Sequence, residues 1–222
     1  MLERVLEPEV MDTVDEARAY DAMDHRIVNG RFADDALALS PTPKRVLDVG
    51  TGTGLVAIVL AARLPLATVT AVDLAGHMLD AASRNVTRAR LSHRIALVQV
   101  DAKGLPYAPG DFDLVVSNSV VHHIPDPHAF FAEIARVAGN RAGIFVRDLC
   151  RPADRAALDS LVHTYAANEE PTARELFRAS LHAALTVDEV TAIAERAGLR
   201  GVKVRMTSDR HWTLARGSVR PL

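Results

Sequence analysis

The chain has a single cysteine, Cys150, so it can form no internal disulfide, and that residue alone cannot build a thiolate metal site. Lysine is almost missing too: of 26 basic residues, only Lys44, Lys103 and Lys203 are lysines. With 28 acids and a formal charge of −2, the overall basic surface that tracks nucleic acid is absent. Long apolar runs are also lacking. Stretches such as residues 56–62 fall far short of the roughly 18–20 residues a membrane span requires, so no bilayer-crossing helix is expected. The first residues, Met1-Leu2-Glu3-Arg4-Val5-Leu6-Glu7, show no basic region followed by an apolar one, so no secretory signal is expected and a cytoplasmic setting is the default. Repeats and low-complexity linkers are absent, and the 222 residues read as one domain.

What is present is ordinary globular composition, 49% hydrophobic and 24% charged, which excludes disorder and coiled coil. The charge is unevenly spread. Residues 1–40 carry ten acids against four arginines, a net of −6, whereas residues 200–222 carry six bases against Asp209, a net of +5.

The middle of the chain alternates short β-branched runs with helical patterns, the mark of βα units that build a parallel sheet. Strands are predicted at 45–49, 68–72, 95–100, 112–117 and 142–147, uniformly apolar and therefore expected to be covered by helices on both faces. Helices are predicted at 55–64 and 76–90, and a third is expected to start with Asp126 as cap and Pro127 at the first helical position. Residues 151–185 read as a helical insertion. Thr172 with Glu175, and Thr186 with Glu189, have capping-box spacing; Leu185 and Val190 can staple the second of these helices and Gly198 can end it. Two closing runs, 201–207 and 210–215, read as a hairpin. The expectation is an α/β, Rossmann-like, seven-stranded, mostly parallel sheet. It has a helical cap at 1–40, a cofactor-binding core at 45–149, the insertion at 150–185, and a last helix and hairpin at 186–216.

The segment Asp48-Val-Gly50-Thr51-Gly52-Thr-Gly54 sits where the first strand turns into the first helix of the core. Glycines there let backbone amides approach a ligand at the positive end of a helix. A dinucleotide loop has glycine at its first, third and sixth positions; counting from Gly50, the sixth here is Leu55. An acid at the head of the loop also suits a pyrophosphate poorly. Asp73 ends the second strand and Asp101 follows the third.

On these residues the chain resembles the class I S-adenosylmethionine-dependent methyltransferases, in the small-molecule branch that includes the ubiquinone and menaquinone C-methyltransferases. The resemblance rests on the Asp48–Gly54 loop, on Asp73, on Asp101-Ala102, and on Phe112-Asp-Leu-Val-Val-Ser-Asn118. It implies S-adenosyl-L-methionine as cofactor and S-adenosyl-L-homocysteine as product. It further implies that Asp73, with Leu74 beside it, holds the ribose hydroxyls, that Asp101 and Ala102 meet the adenine, and that Asn118 faces the ligand. Asp48 can then neutralise the ammonium while the amides of Gly50, Thr51 and Gly52 receive the carboxylate.

In the loop Asn118-Ser-Val-Val-His122-His123, either histidine titrates in the range a general base needs, although two adjacent side chains are not expected to enter one pocket. Asp148 and Arg147 are further candidates for the pocket floor. The segments Tyr20-Asp21-Ala22-Met23-Asp24-His25 and Asn29-Gly-Arg31-Phe32 form a polar-aromatic patch in which Tyr20 or Arg31 would reach the methionine end of the cofactor. The family's amide and base N-methylating members carry Asn-Pro-Pro-aromatic where this chain has Asn118-Ser-Val-Val121, so nucleic-acid bases are not expected substrates. The expected partner is a small methyl acceptor, the chain being a monomer or homodimer, with no metal. An NAD(P)-dependent oxidoreductase and a non-catalytic cofactor-binding subunit are the alternatives.

Overall fold

The structure is a computed structural model that describes residues 2–10, 12–22 and 25–219. Two helices, α1 (Val14–Ala22) and α2 (Arg26–Leu39), precede the sheet. There follow β1 (Arg45–Val49), α3 (Leu55–Arg63), β2 (Thr68–Asp73), α4 (Gly76–Arg88), β3 (Ile95–Gln99), β4 (Leu114–Asn118), α5 (His128–Ala138) and β5 (Gly143–Leu149). The chain continues with α6 (Arg155–Ala166), α7 (Pro171–Ala183), α8 (Val187–Arg196), β6 (Lys203–Met206) and β7 (His211–Arg216).

The seven strands lie in the order β3-β2-β1-β4-β5-β7-β6. The first five are parallel, and β7 runs antiparallel to its neighbours β5 and β6. Successive residues of a strand point to opposite faces, and here both faces are buried. Leu47, Val49, Val115 and Ile144 pack under Phe130, Phe131 and Ile134 of α5 and Val190 of α8. Val46, Val69, Leu114 and Val116 pack under Phe32 and Ala36 of α2 and Leu60 of α3. That is why the strands read as unbroken apolar runs. The sequence reverses its direction of build between β1 and β4, which opens a crevice at the carboxyl ends of the strands.

Local signals are partly realised. Thr186 and Glu189 form the reciprocal capping box, Leu185 and Val190 join one core cluster, and Gly198 sits at φ +77 just past α8. The Thr172 box does not form. Proline at the first position of α7 presets the helical φ one residue earlier, with Glu170 as cap, and places Thr172 inside the helix. At α5 the helix starts one residue later than expected: Pro127 is the cap, and Asp126 accepts the His128 amide at 3.0 Å. The 150–185 stretch is helical, as two helices, and no helix among the described residues is long and apolar enough to cross a membrane.

Candidate active site

Directly after β1 the chain turns over the end of β2, where the amides of Gly50 and Thr51 both donate to the Val72 carbonyl at 2.8 and 2.9 Å. Gly50 has φ +70, and a Cβ there would stand 2.1 Å from Cγ2 of Val120, so both conformation and space demand glycine. The Gly52 amide donates to Oδ2 of Asp73 at 2.7 Å, and Oδ1 of Asp73 accepts the Ala75 amide at 2.9 Å. Burial pushes the Asp73 carboxyl up, against these backbone donors that favour its ionised form.

Asp48 is 1% exposed and accepts the Thr51 hydroxyl at 2.7 Å. Burial pushes its carboxyl up to about 7, the Thr51 bond offsetting part of that and the charge of Asp73 adding to it. Asp48, Gly50, Thr51, Gly52, Asp73, Leu74, Asp101, Ala102, Asn118 and Tyr20 all line one cavity. Asp101 accepts the Lys103 amide at 2.8 Å, and the Lys103 ammonium lies 3.2 Å from its Oδ2 while also pairing with Glu9. Tyr20 is held by stacking on His25, ring centres 4.7 Å apart; burial, then the charges of Asp48 and Asp73, push its phenol up.

Arg31 is a correction. The buried face of α2 is Asn29, Phe32, Ala33 and Ala36, a helical stripe that leaves Arg31 on the exposed side, and Asn29 lines the cavity in its place. Within the expected patch, Met23 and Asp24 lie outside the described residues.

The two histidines part company at the cavity. A 3₁₀ turn, Val121–His123, makes His123 part of the wall and buries His122 behind it. Asp148 is not at the pocket floor but inside β5, where Oδ1 meets His122 Nδ1 at 2.5 Å and Oδ2 accepts the Val121 amide at 2.5 Å. Arg147 likewise faces elsewhere, toward Asp35 and Thr213. Burial alone would depress His122, but Asp148, with Glu7, holds it above the usual imidazole range. Burial alone would raise Asp148, but the charge and hydrogen bond of His122, with the Leu149 and Val121 amides, hold it down. Burial and the neighbouring His122 take His123 down to about 4.

Groups that sequence reasoning missed come from the first ten residues. Glu9 and Val10 line the cavity, and Glu7 Oε1 lies 3.2 Å from His123 Nδ1 and 3.5 Å from His122 Nε2. Both imidazoles therefore converge on one carboxylate, which adjacency in sequence did not suggest. Arg4 anchors this segment by donating to the carbonyls of Ala183, Pro125 and Ile124 at 2.6, 2.8 and 2.9 Å. Ser119, after β4, also lines the cavity and holds φ +58, an uncommon conformation for a residue with a Cβ. No spacing rule flags Glu7, Glu9, Asn29 or Ser119.

A family described as "Methyltransferase domain" matches residues 47–146. A malonyl-[acyl-carrier protein] O-methyltransferase of Geobacter sulfurreducens is 37% identical over 194 residues, covering 84% of this chain and 66% of that one. A demethylmenaquinone methyltransferase of a Roseiflexus species is 32% identical over 141 residues, 61% of this chain and 58% of that one. The chain thus spans less than two thirds of the length of these curated relatives. A crystal structure from Methanococcus maripaludis, provisionally described as an S-adenosyl-L-methionine-dependent methyltransferase, shares the fold with a TM-score of 0.75. The match covers 98% of this chain and 99% of that one at 19% identity.

Proposed function

We propose that this chain, which belongs to the class I S-adenosylmethionine-dependent methyltransferases, transfers the methyl group of that cofactor to an oxygen, nitrogen or carbon nucleophile of a small molecule. The observation that carries the reading is the convergence of Asp48, Asp73 and Asp101, from the ends of three neighbouring strands, on one cavity bounded by the glycine loop. A sulfonium, an ammonium and a ribose suit three acids; a pyrophosphate does not, which disfavours a dinucleotide.

In this reading Asp73 accepts from the ribose hydroxyls, with charge-assisted bonds of roughly 1.5–3 kcal/mol each. Leu74 covers the sugar, and Asp101 and Ala102 meet the adenine. Asp48 receives the ammonium, the amides of Gly50, Thr51 and Gly52 receive the carboxylate, and Tyr20 and Asn118 border the methionine end. The transfer is an in-line displacement: the bond from nucleophile to methyl forms as the methyl–sulfur bond breaks, and sulfur keeps the electron pair to give S-adenosylhomocysteine. Holding both partners in line contributes on the order of 7–11 kcal/mol. His123 faces the cavity and is the group placed to take the proton of an acceptor that arrives protonated, but burial and His122 hold it down at about 4, outside the range expected of a general base, so it is a weak base there.

The N-terminal segment and the 150–185 helices close the acceptor side. Support comes from Leu2 donating to Ala153 at 2.9 Å and Val5 to His182 at 3.2 Å. The proposal includes a cytoplasmic setting, where the cofactor is made, and a monomer or homodimer that does not act on nucleic acid.

Calorimetric titration tests the cofactor. Stoichiometric binding of S-adenosylhomocysteine and none of NADH is expected, and the opposite result would overturn the reading. Incubation with isotopically labelled methyl donor and a metabolite extract is expected to label a low-mass product.

A further inference from the structure

Among the described residues, Glu7 Oε1, His122 Nε2 and His123 Nδ1 lie within 4.8 Å of one another. They come from two segments more than a hundred residues apart, and the side chains are 9%, 5% and 20% exposed. Glu7 Oε1 and His123 Nδ1 are buried without a hydrogen-bond partner: at 3.2 Å they approach each other but are not aligned to share a proton. Two orphaned polar atoms facing each other call for an explanation, and an ion between them supplies one.

We propose that these three atoms bind one divalent transition-metal ion, with zinc the best-fitting probe. Nitrogen and carboxylate ligands at about 2.0–2.1 Å in a tetrahedron stand about 3.4 Å from one another. The observed 3.2 and 3.5 Å separations already match that spacing. His122 is oriented as a ligating histidine is: Nδ1 meets Asp148 Oδ1 at 2.5 Å, which fixes the tautomer and leaves the Nε2 lone pair toward Glu7. Arg4 preorganises the set, because its bonds to the Ala183, Pro125 and Ile124 carbonyls pin the segment that carries Glu7 beside the histidine turn. Three protein ligands leave a fourth position, the arrangement of a catalytic rather than a structural site.

The use of that position rests on the methyltransferase reading above. His123 is part of the cavity wall while Glu7 and His122 lie behind it, so the ion sits directly behind the cavity and an acceptor oxygen reaches the fourth position as the wall opens at His123. A hydroxyl or enol bound to the ion loses its proton to solvent at neutral pH, and the resulting oxygen attacks the methyl group as the carbon–sulfur bond breaks. His123 is then a ligand, and deprotonation passes from imidazole to the ion. The substrate class narrows to oxygen acids.

The test uses the full chain, stripped with chelator and dialysed, then titrated with zinc chloride by calorimetry and with cobalt(II) as a spectroscopic probe. One ion per chain and the visible bands of four-coordinate cobalt are expected. Glu7→Gln and His123→Ala each lose at least tenfold in zinc affinity and the cobalt bands, and Asp148→Asn weakens binding by 10–100-fold through the lost orienting bond. The thermal transition and circular dichroism of each variant show that the fold survives, and the native chain is titrated in parallel with S-adenosylhomocysteine. Absence of stoichiometric zinc binding, or zinc binding unchanged in both Glu7→Gln and His123→Ala, would overturn the site. Zinc binding as expected in a chain that does not bind S-adenosylhomocysteine would leave the metal site standing and remove its role in methyl transfer.

Discussion

Gly52 donates its amide to Asp73 Oδ2 across 2.7 Å, which ties the loop after β1 to the acid that ends β2. Asp73 thereby braces the loop that lies beside it, and in the proposed site it also holds the ribose. Asp73→Ala is expected to lower S-adenosylhomocysteine affinity by two orders of magnitude or more, from the loss of two bonds of roughly 1.5–3 kcal/mol each. It also strands the Gly52 and Ala75 amides, at about 1–3 kcal/mol apiece, so the melting temperature falls as well. Near-normal binding by calorimetry would displace Asp73 from the ribose.

Gly50→Ala meets two obstacles, a left-handed φ of +70 and a 2.1 Å clash with Val120. Val120→Ala removes most of the clash and leaves the backbone strain, about 1–2 kcal/mol. The double variant is therefore expected to be more stable than Gly50→Ala and less stable than Val120→Ala, measured by chemical denaturation.

Asp48 makes stability depend on pH. Its carboxyl titrates near 3.9 in the unfolded chain and at about 7 when folded, so between those values the folded state holds a proton that the unfolded state has lost. Its contribution to stability accordingly falls as pH rises from about 4 to 7 and is level above that, by a few kcal/mol in all. Denaturation curves across this window are expected to show a steeper decline for the native chain than for Asp48→Asn. A cofactor ammonium placed beside Asp48 would drive the same carboxyl to ionise, so binding below pH 7 is expected to release a proton.

Arg4→Ala removes four bonds to carbonyls of the 122–125 turn and the end of α7. Residues 2–10 are expected to become accessible to limited proteolysis while the sheet keeps its thermal transition. Cleavage indistinguishable from the native chain would show that Arg4 is not the anchor.

Thr186 and Thr172 stand in the same local pattern but differ in use. Thr186→Ala breaks a formed capping box and is expected to cost about 1 kcal/mol. Thr172→Ala changes a residue already inside α7 and is expected to fall within about 0.5 kcal/mol of the native stability.

The core of the fold was legible because its rules are short-ranged or periodic. Strands buried on both faces are apolar throughout, Pro65 stands just past the end of α3, and helices between parallel strands follow from the need for a crossover. The acids at the ends of β1, β2 and β3 were legible for the same reason: a strand end facing a glycine loop can be counted along the chain. Failures began where two local signals competed, as when Pro171 overrode Thr172, or where a helix could turn either face inward, as with Asn29 and Arg31.

The sequence therefore determined the sheet, the glycine turn and the row of acids, each set by residues within a few positions of one another. The tertiary structure alone decided that Glu7 meets His122 and His123, that Glu9 reaches Asp101 through Lys103, and that Asp148 lies behind an imidazole and not in the cavity. Those approaches join segments separated by tens to more than a hundred residues. They depend on how the N-terminal segment packs against α7 and the histidine turn, and no periodicity or capping rule encodes that contact.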